Sequence, residues 1–132
     1  MIKNPASLSH PECLRRIHGG VTEFIGKYEP DCVAIEGVFY CKNVKTAVVL
    51  GQARGAAIAG CGTLSIYEYA PRRVKQAVTG TGRAHKQQIG HMVVRLLNLS
   101  SEPPEDAADA LAIAITHACA VQRPELNSDN AL

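Results

Sequence analysis

A short apolar run between two helical patterns most limits the folds open to this chain. Cys32-Val33-Ala34-Ile35 follows the turn residues Glu29-Pro30-Asp31 and is followed by Glu36. An apolar run of this length with turn signals beside it is typical of a strand buried on both faces of a parallel sheet. Because parallel strands are joined by crossovers that are usually helical, the run predicts an α/β fold.

The rest of the chain supplies the expected helices and a second strand. Apolar residues recur at helical spacing in five segments, and one further apolar segment has the features of a strand. The parallel strands are predicted over 32–36 and 64–69. The helices are predicted over 11–28, 44–61, 72–78, 85–98 and 106–121. We expect a single domain over 1–122 and a flexible tail over 123–132.

Composition excludes several classes of protein. The five cysteines are odd in number and lack CxxC or Cys/His spacing, which argues against a disulfide framework and against a structural zinc site. No apolar run reaches the ~18 residues that span a bilayer, so we expect a cytoplasmic protein without a membrane partner. The formal net charge of +2 is too small to indicate a partner by itself.

Two carboxylates lie close together at the start of the last predicted helix. In the stretch Glu105-Asp106-Ala107-Ala108-Asp109, Asp106 and Asp109 are three residues apart and so share one helical face. Such a pair can hold a divalent metal. The alternative is ordinary helix-start chemistry, because acidic side chains are favoured by the positive end of the helix dipole.

Glu36 favours the metal interpretation because it ends the first predicted strand. Sites in open α/β sheets form at the carboxyl ends of strands, and a carboxylate buried there needs a cation. A strand-end acid that faces water is the alternative at this position.

Basic side chains crowd into one segment of fifteen residues that contains no acid. This pattern indicates contact with a polyanion such as a nucleic-acid backbone. The basic residues of the segment are Arg72, Arg73, Lys75, Arg83, His85 and Lys86.

Small residues recur every four positions in the second predicted helix. Gly51, Gly55 and Ala59 leave a smooth stripe on which another helix can lie closely. Glycine costs about 1 kcal/mol in a helix interior, so two glycines on one face suggest close packing. Internal packing and a homodimer interface both fit this pattern.

Four sequence blocks together resemble the RuvC family of Holliday-junction resolvases. They occur in the family's order and spacing within residues 5–122. The blocks are Ala34-Ile35-Glu36-Gly37-Val38-Phe39 with Lys42-Asn43, Leu50-Gly51-Gln52-Ala53-Arg54-Gly55, Val74-Lys75-Gln76 through Gly80, and Asp106-Ala107-Ala108-Asp109-Ala110-Leu111-Ala112.

The resemblance implies a ribonuclease-H-like fold and a homodimer that nicks four-way junction DNA with Mg²⁺, for which Mn²⁺ is a plausible substitute. It also implies that Glu36, Asp106 and Asp109 bind the metal. Lys75 and Lys86 match basic positions near the scissile phosphate in the family. A branch-migration complex is a further partner implied by the family.

The DNA-binding surface is expected to include one aromatic residue and the basic segment. Phe39 matches the family's aromatic that stacks on a base at the junction core, and such stacking is worth about 1–3 kcal/mol. The basic residues expected to bind DNA are Arg72, Arg73, Lys75, Arg83 and Lys86.

The chain departs from the family at its beginning. RuvC proteins start with a strand that carries Asp-Pro-Gly, whose aspartate is a fourth metal ligand, and this sequence contains no Asp-Pro-Gly. We expect an N-terminal truncation, a mistaken start codon or a shortened gene to explain the difference. The strand at 32–36 would then lack a neighbour, and the metal site would bind Mg²⁺ weakly.

Two functions of different class remain open. The first is a RuvC-type endonuclease, a hydrolase of DNA recombination and repair, weakened or inactive as it stands. The second is a catalytically dead homodimer that binds junction DNA or only itself. A small-molecule α/β enzyme is disfavoured, because no phosphate-binding glycine fingerprint follows the first strand.

Overall fold

The computed structural model describes residues 4–37, 43–122 and 132 of the chain. Within these residues, five helices and two strands follow one another in the predicted order, which confirms the α/β class. The strands are β1 (Cys32–Glu36) and β2 (Ser65–Tyr69). The helices are α1 (His10–Tyr28), α2 (Val44–Gly60), α3 (Pro71–Thr79), α4 (Lys86–Leu96) and α5 (Glu105–Val121).

The described residues form two compact units. The first holds residues 4–33 and 43–65, and the second holds residues 34–37, 66–122 and 132. The single domain expected over 1–122 therefore stays a prediction. The tail expected over 123–132 lies outside the described residues except for its last one.

In the first unit, α1 packs against α2. The start of α1 is held by Ser9, whose hydroxyl and backbone N–H donate to the Glu12 carboxylate at 2.5 and 2.8 Å and keep the pKa of Glu12 below its ordinary value. The end of α2 approaches α1 closely, because a Cβ on Gly60 would lie 2.7 Å from the His18 carbonyl oxygen. The Thr22 hydroxyl donates to the Gly60 carbonyl at 3.2 Å, which fixes this contact.

The two strands form a two-stranded parallel sheet with their carboxyl ends at the same edge. The N–H of Gly37, just beyond β1, donates to the carbonyl of Tyr69, the last residue of β2, at 2.8 Å. A site assembled at this edge can therefore draw on residues that follow both strands.

The core of the second unit is built from β2, the three C-terminal helices and the connection before α4. Tyr69, Val93 and Thr116 are its largest fully buried side chains. The buried Thr116 hydroxyl is satisfied by donation to the Ala112 carbonyl at 2.8 Å. The cluster of buried residues contains Tyr69, Val74, Val78, Ala84, Ile89, Val93, Ala112 and Ala120.

The small-residue stripe of α2 is exposed. A Cβ placed on Gly51 or Gly55 would meet no atom within 4 Å, so the described residues do not use these glycines for internal packing. Internal packing, one of the two explanations for the stripe, is therefore not observed in the described residues, and the homodimer interface stays a prediction. In the described part of the chain, no helix has both the length and the apolar character needed to cross a membrane.

Candidate active site

A cavity of about 280 Å³ opens beside the carboxyl end of β1 in the second unit. Four charged residues from four different elements line it: Glu36 of β1, Lys75 of α3, Lys86 of α4 and Asp109 of α5. The remaining lining is mostly apolar and consists of Pro71, Val74, Ile89, Ala112 and Ile113. The fold thus brings together two acids and two bases that are far apart in the sequence.

Local structure explains how α3 reaches the cavity. Pro71 begins α3 directly after β2, and proline is favoured at the first helical position because its missing N–H is not needed there. Pro71 and Lys75 are four residues apart and share a helical face, so both line the cavity. Val74 and Val78 share the neighbouring face and are buried in the core, which holds the orientation of α3.

Lys86 is placed at the mouth of the cavity by the start of α4. The N–H of His85, which precedes the helix, donates to the Gln88 side chain at 2.8 Å and so satisfies one donor of the helix start. Ile89 and Val93, three and seven residues further along the same side of α4, are buried in the core and fix the orientation of the helix.

The ammonium of Lys86 lies between two carboxylates of α5. Its Nζ contacts Glu105 and lies 3.3 Å from Oδ2 of Asp109. Hydrogen bonds to Glu105 and then to Asp109 raise the pKa of Lys86, so the side chain is an ammonium at neutral pH. All three side chains are substantially exposed, so the contacts orient Lys86 more than they stabilise the fold.

Asp106 is not among the residues that line this cavity. It is exposed in the first turn of α5, whereas Glu105 and Asp109, four residues apart, both face Lys86. In the residues that the structure describes, no three His, Cys, Asp or Glu side chains are grouped closely enough to hold a metal ion. The metal set Glu36, Asp106 and Asp109 therefore stays a prediction, with two of its members in one cavity.

Glu105 is the residue of this site that the sequence reasoning missed. Its signal was available, because the spacing of four to Asp109 places both carboxylates on one face of α5. The spacing of three and the family resemblance predicted Asp106 as the partner of Asp109 instead. A second groove of about 610 Å³ shares Lys86 and Asp109 with the cavity and is also lined by Glu105.

The donor set of the cavity fits a hard divalent cation. Mg²⁺ is commonly held by one or two carboxylates, with water and substrate phosphate oxygens completing its coordination. Glu36 and Asp109 can supply the carboxylates, and Lys75 and Lys86 can face the phosphate. Among the described residues, none of those that line the cavity is a cysteine or histidine, which is consistent with a cation that prefers oxygen ligands.

The other predicted DNA-binding residues surround the turn between α3 and α4. Arg72 and Arg83 are exposed, and the stem of Arg72 lies so close to Gly82 that a Cβ there would be 2.8 Å from Cγ of Arg72. Arg73 is half-buried, with its guanidinium 5.7 Å from the centre of the Tyr69 ring. The prediction for Phe39 lies outside the described residues.

Carboxylates and lysines that meet at a strand end of an α/β fold form a site suited to the hydrolysis of phosphate esters. The chain belongs to the RuvC family, since the family model described as "Crossover junction endodeoxyribonuclease RuvC" matches residues 1–117. This confirms the resemblance drawn from the sequence blocks.

Individual relatives agree with the family assignment. The chain is 56% identical over 114 residues to the RuvC crossover junction endodeoxyribonuclease of Actinobacillus pleuropneumoniae serotype 5b (strain L20), an alignment that covers 85% of this chain and 59% of the relative. It is 58% identical over 109 residues to the enzyme of the same name from Pectobacterium carotovorum subsp. carotovorum (strain PC1), covering 81% of this chain and 63% of the relative. The chain thus spans about three fifths of the length of these curated relatives.

A solved structure matches the fold. The structure titled "T. thermophilus RuvC in complex with Holliday junction substrate" superposes with a TM-score of 0.90 at 34% sequence identity, covering 99% of this chain and 79% of that chain. The fold is therefore of the ribonuclease-H-like type found in RuvC structures, as the sequence resemblance implied.

Proposed function

We propose that this chain acts as a divalent-metal-dependent, structure-specific endonuclease that binds four-way (Holliday) junction DNA and hydrolyses its phosphodiester bonds. The observation that carries the proposal is the cavity in which Glu36, Lys75, Lys86 and Asp109 meet at the strand end. The named activity of the RuvC relatives and the junction substrate of the Thermus thermophilus structure support the same assignment.

The residues of the cavity divide the work of phosphodiester hydrolysis. Glu36 and Asp109 would hold Mg²⁺, with Mn²⁺ as the plausible substitute, and the family resemblance adds Asp106 to them. When bound, the metal supplies Lewis-acid stabilisation and an activated water. Lys86 and Lys75 offer positive charge to the phosphate oxygens, on which negative charge accumulates as the bond to the leaving oxygen breaks.

Lys86 also has a role before substrate arrives. Its ammonium lies against Glu105 and Asp109 and partly offsets the negative charge of α5 beside the cavity. A phosphate that enters the cavity would compete with these carboxylates for Lys86. The side chain can follow it, because lysine is long, flexible and exposed here.

The DNA would extend from the cavity over the turn between α3 and α4. The exposed Arg72 and Arg83 can contact phosphates, and Lys75 connects this basic surface to the cavity. Phosphate contacts of this kind set affinity and salt dependence without reading sequence.

Self-association is part of the proposal. The exposed face of α2 carries Gly51, Gly55 and Ala59 together with Val44 and Val48, which are 78% and 54% exposed. An apolar face with open glycines permits close approach of another helix, and a second copy of the chain is the occupant that the family resemblance implies. A homodimer would present two cavities, as paired nicking of a junction requires.

Nicking of a labelled synthetic four-way junction tests the proposal, with a linear duplex of the same sequence as the substrate control. We expect Mg²⁺-dependent nicks in the junction, and Asp109→Asn should reduce their rate by at least about 100-fold because a metal ligand is lost. DNA binding by Asp109→Asn should persist or strengthen, because the change removes negative charge.

One lysine variant and one arginine variant test whether the cavity contributes to DNA binding. Lys75→Ala should lower junction affinity and reduce the salt slope by about one unit, because one phosphate contact is lost. Arg95→Ala is the matched control, since Arg95 is exposed on α4 and does not line the cavity. Equal effects of the two variants would contradict the role of the cavity in DNA binding.

Junction binding without any metal-dependent nicking would favour the second function, a catalytically dead dimer. Self-association without junction binding would reduce that function to assembly alone. A branch-migration partner and a cytoplasmic location remain predictions from the family resemblance and from the sequence.

A further inference from the structure

Tyr69 joins the two elements that carry the carboxylates of the cavity. Its backbone carbonyl accepts a hydrogen bond of 2.8 Å from the N–H of Gly37, the residue after Glu36. Its phenol oxygen lies 2.8 Å from Nδ1 of His117 on α5, the helix that carries Asp109. One residue is therefore bonded to the strand end on one side of the cavity and to the helix on the other.

Burial makes the phenol contact specific. The Tyr69 side chain is 0% exposed, so its hydroxyl is removed from water and an unsatisfied hydroxyl there would be unfavourable. The hydrogen bond to His117 therefore selects one position of α5 along β2. Apolar contacts alone tolerate small sliding movements, whereas a hydrogen bond is sensitive to both distance and angle.

Neighbouring rings orient His117 for this bond. Tyr67 and Tyr69 are two residues apart on β2 and point to the same face of the sheet. The imidazole of His117 packs on the Tyr67 ring with a centroid distance of 4.4 Å and lies 5.9 Å from the Tyr69 centroid. The imidazole is thus held by ring contacts with its Nδ1 directed at the Tyr69 hydroxyl.

We propose that Tyr69 and His117 form a positioning pair that sets the spacing between Glu36 and Asp109, and hence the affinity of the cavity for a divalent cation. Neither residue lines the cavity, so the pair acts through the end of β1 and through α5. The inference rests on the proposed function only for the nature of the ligand that the two carboxylates hold.

The expected effect on metal binding follows from the precision that a metal site needs. Liganding groups must be held to within about 0.5 Å of their productive geometry. Loss of partners that orient metal ligands typically lowers metal affinity by about 10–100-fold. Removing the Tyr69 hydroxyl keeps the ring and its packing, so the fold should persist while the spacing of the carboxylates becomes less defined.

The test compares Tyr69→Phe with the matched control Tyr67→Phe, which removes a hydroxyl from the same face of the same strand. Two quantities are measured well below the melting temperature: Mn²⁺ affinity without DNA, by electron paramagnetic resonance, and amide hydrogen exchange at Gly37. Tyr69→Phe should weaken Mn²⁺ binding by about tenfold. It should also speed exchange at Gly37, whereas Tyr67→Phe should change neither.

Variants of His117 test the other member of the pair. His117→Asn keeps a hydrogen-bonding atom near the position of Nδ1 and should retain most of the Mn²⁺ affinity. His117→Leu should weaken Mn²⁺ binding and speed exchange at Gly37 as Tyr69→Phe does. The double variant Tyr69→Phe/His117→Leu should be no worse than either single variant, because both changes remove the same interaction.

Three results would overturn the positioning pair. They are unchanged Gly37 exchange in Tyr69→Phe, equal losses in Tyr67→Phe and Tyr69→Phe, and a lowered melting temperature with unchanged Mn²⁺ affinity. If the unaltered chain binds no Mn²⁺, the proposed function fails separately. In that case the positioning pair is tested by Gly37 exchange alone, which should be faster in Tyr69→Phe and unchanged in His117→Asn.

Discussion

Helices α2 and α5 are alike in length and apolar content but differ in burial. Each has 17 residues and is apolar around most of its circumference. In α5 the residues Ala108, Ala112, Thr116 and Ala120, spaced one turn apart, are buried. In α2, all of which is described, only Gly60 is buried. Apolar content therefore does not decide which helix enters a core; the elements packed around the helix decide it.

The difference separates the two proposed roles of the chain. α5 is held by buried contacts and carries Asp109 into the cavity. α2 leaves a face of small and apolar residues open. Substitutions in α5 should therefore change stability and chemistry, and substitutions in α2 should change assembly.

The largest expected contrast comes from placing the same charge at equivalent positions of the two helices. Ala120 and Ala59 are each the next-to-last residue of their helix, but Ala120 is 5% exposed and Ala59 is exposed. Ala120→Asp should lower the free energy of unfolding by at least about 3 kcal/mol, because it buries an unpaired carboxylate. Ala59→Asp should lower the value for the monomer by no more than about 1.5 kcal/mol, which is the combined cost of lower helix propensity and an acid near a helix C-terminus.

Urea unfolding at a protein concentration low enough to keep the chain monomeric gives both values. The acidic side chain is equally unfavourable at both helix ends, so the dipole effect cancels in the comparison. Similar losses for the two variants would mean that α2 is as well covered as α5, contrary to the exposure of its stripe.

A second contrast concerns assembly. Gly55→Leu should weaken self-association by about tenfold or more, because overpacking a close helix contact costs about 1–3 kcal/mol. Gly19→Leu in α1 is the control, since Gly19 also lies in a helix and a Cβ there meets no atom within 4 Å. Both changes remove a helical glycine, so their effects on helix propensity should match.

Sedimentation velocity over a range of concentrations measures the second contrast. A monomer at every concentration in the parent chain would remove the proposed dimer. Equal weakening by both leucine variants would move the interface away from α2.

The smallest expected effect concerns the first turn of α5, which contains acidic residues, whereas the first turn of α2 contains none. Glu105→Gln removes the larger cause of the raised Lys86 pKa, so this pKa should fall toward the ordinary value of 10.5. A raised lysine pKa adds stability that is fully present below 10.5 and is lost as pH rises through the folded-state value, so the stability lost in Glu105→Gln should be independent of pH around pH 7 and small, because the ion pair is exposed.

Nuclear magnetic resonance titration of the Lys86 side chain measures this shift. Junction affinity should rise by no more than about twofold, because an exposed ion pair competes only weakly with phosphate. An unchanged Lys86 pKa in Glu105→Gln would show that Asp109 alone holds the ammonium.

Sequence reasoning predicted the element order and the boundaries closely. The predicted strand over 64–69 is observed as Ser65–Tyr69, and the predicted last helix over 106–121 as Glu105–Val121. Turn residues and apolar spacing are local signals, and proline placement after β2 is a local rule, so these features need no knowledge of distant contacts. The family blocks added the expectation that Glu36, Lys75, Lys86, Asp106 and Asp109 act together, and the cavity contains all of them except Asp106.

Other features of the site required the folded chain. Spacing alone treats Asp106 and Asp109 as equivalent partners, yet only Asp109 lines the cavity because α5 is rotated by its buried stripe. Glu105 is a partner of Lys86 because α4 packs against α5, and this contact cannot be predicted from local sequence. The bond between Tyr69 and His117 joins residues 48 positions apart, which no local pattern can reveal.

By itself the sequence determined the helices, the strands, their order and the family, because these depend on local periodicity, turn chemistry and recognisable blocks. The tertiary structure decided which acids share a cavity, which apolar helix is buried and which tyrosine connects strand to helix. These outcomes depend on the rotation and packing of elements that are far apart along the chain. Small changes in helix rotation move a side chain from a cavity to solvent, and only the complete set of packing contacts determines that rotation.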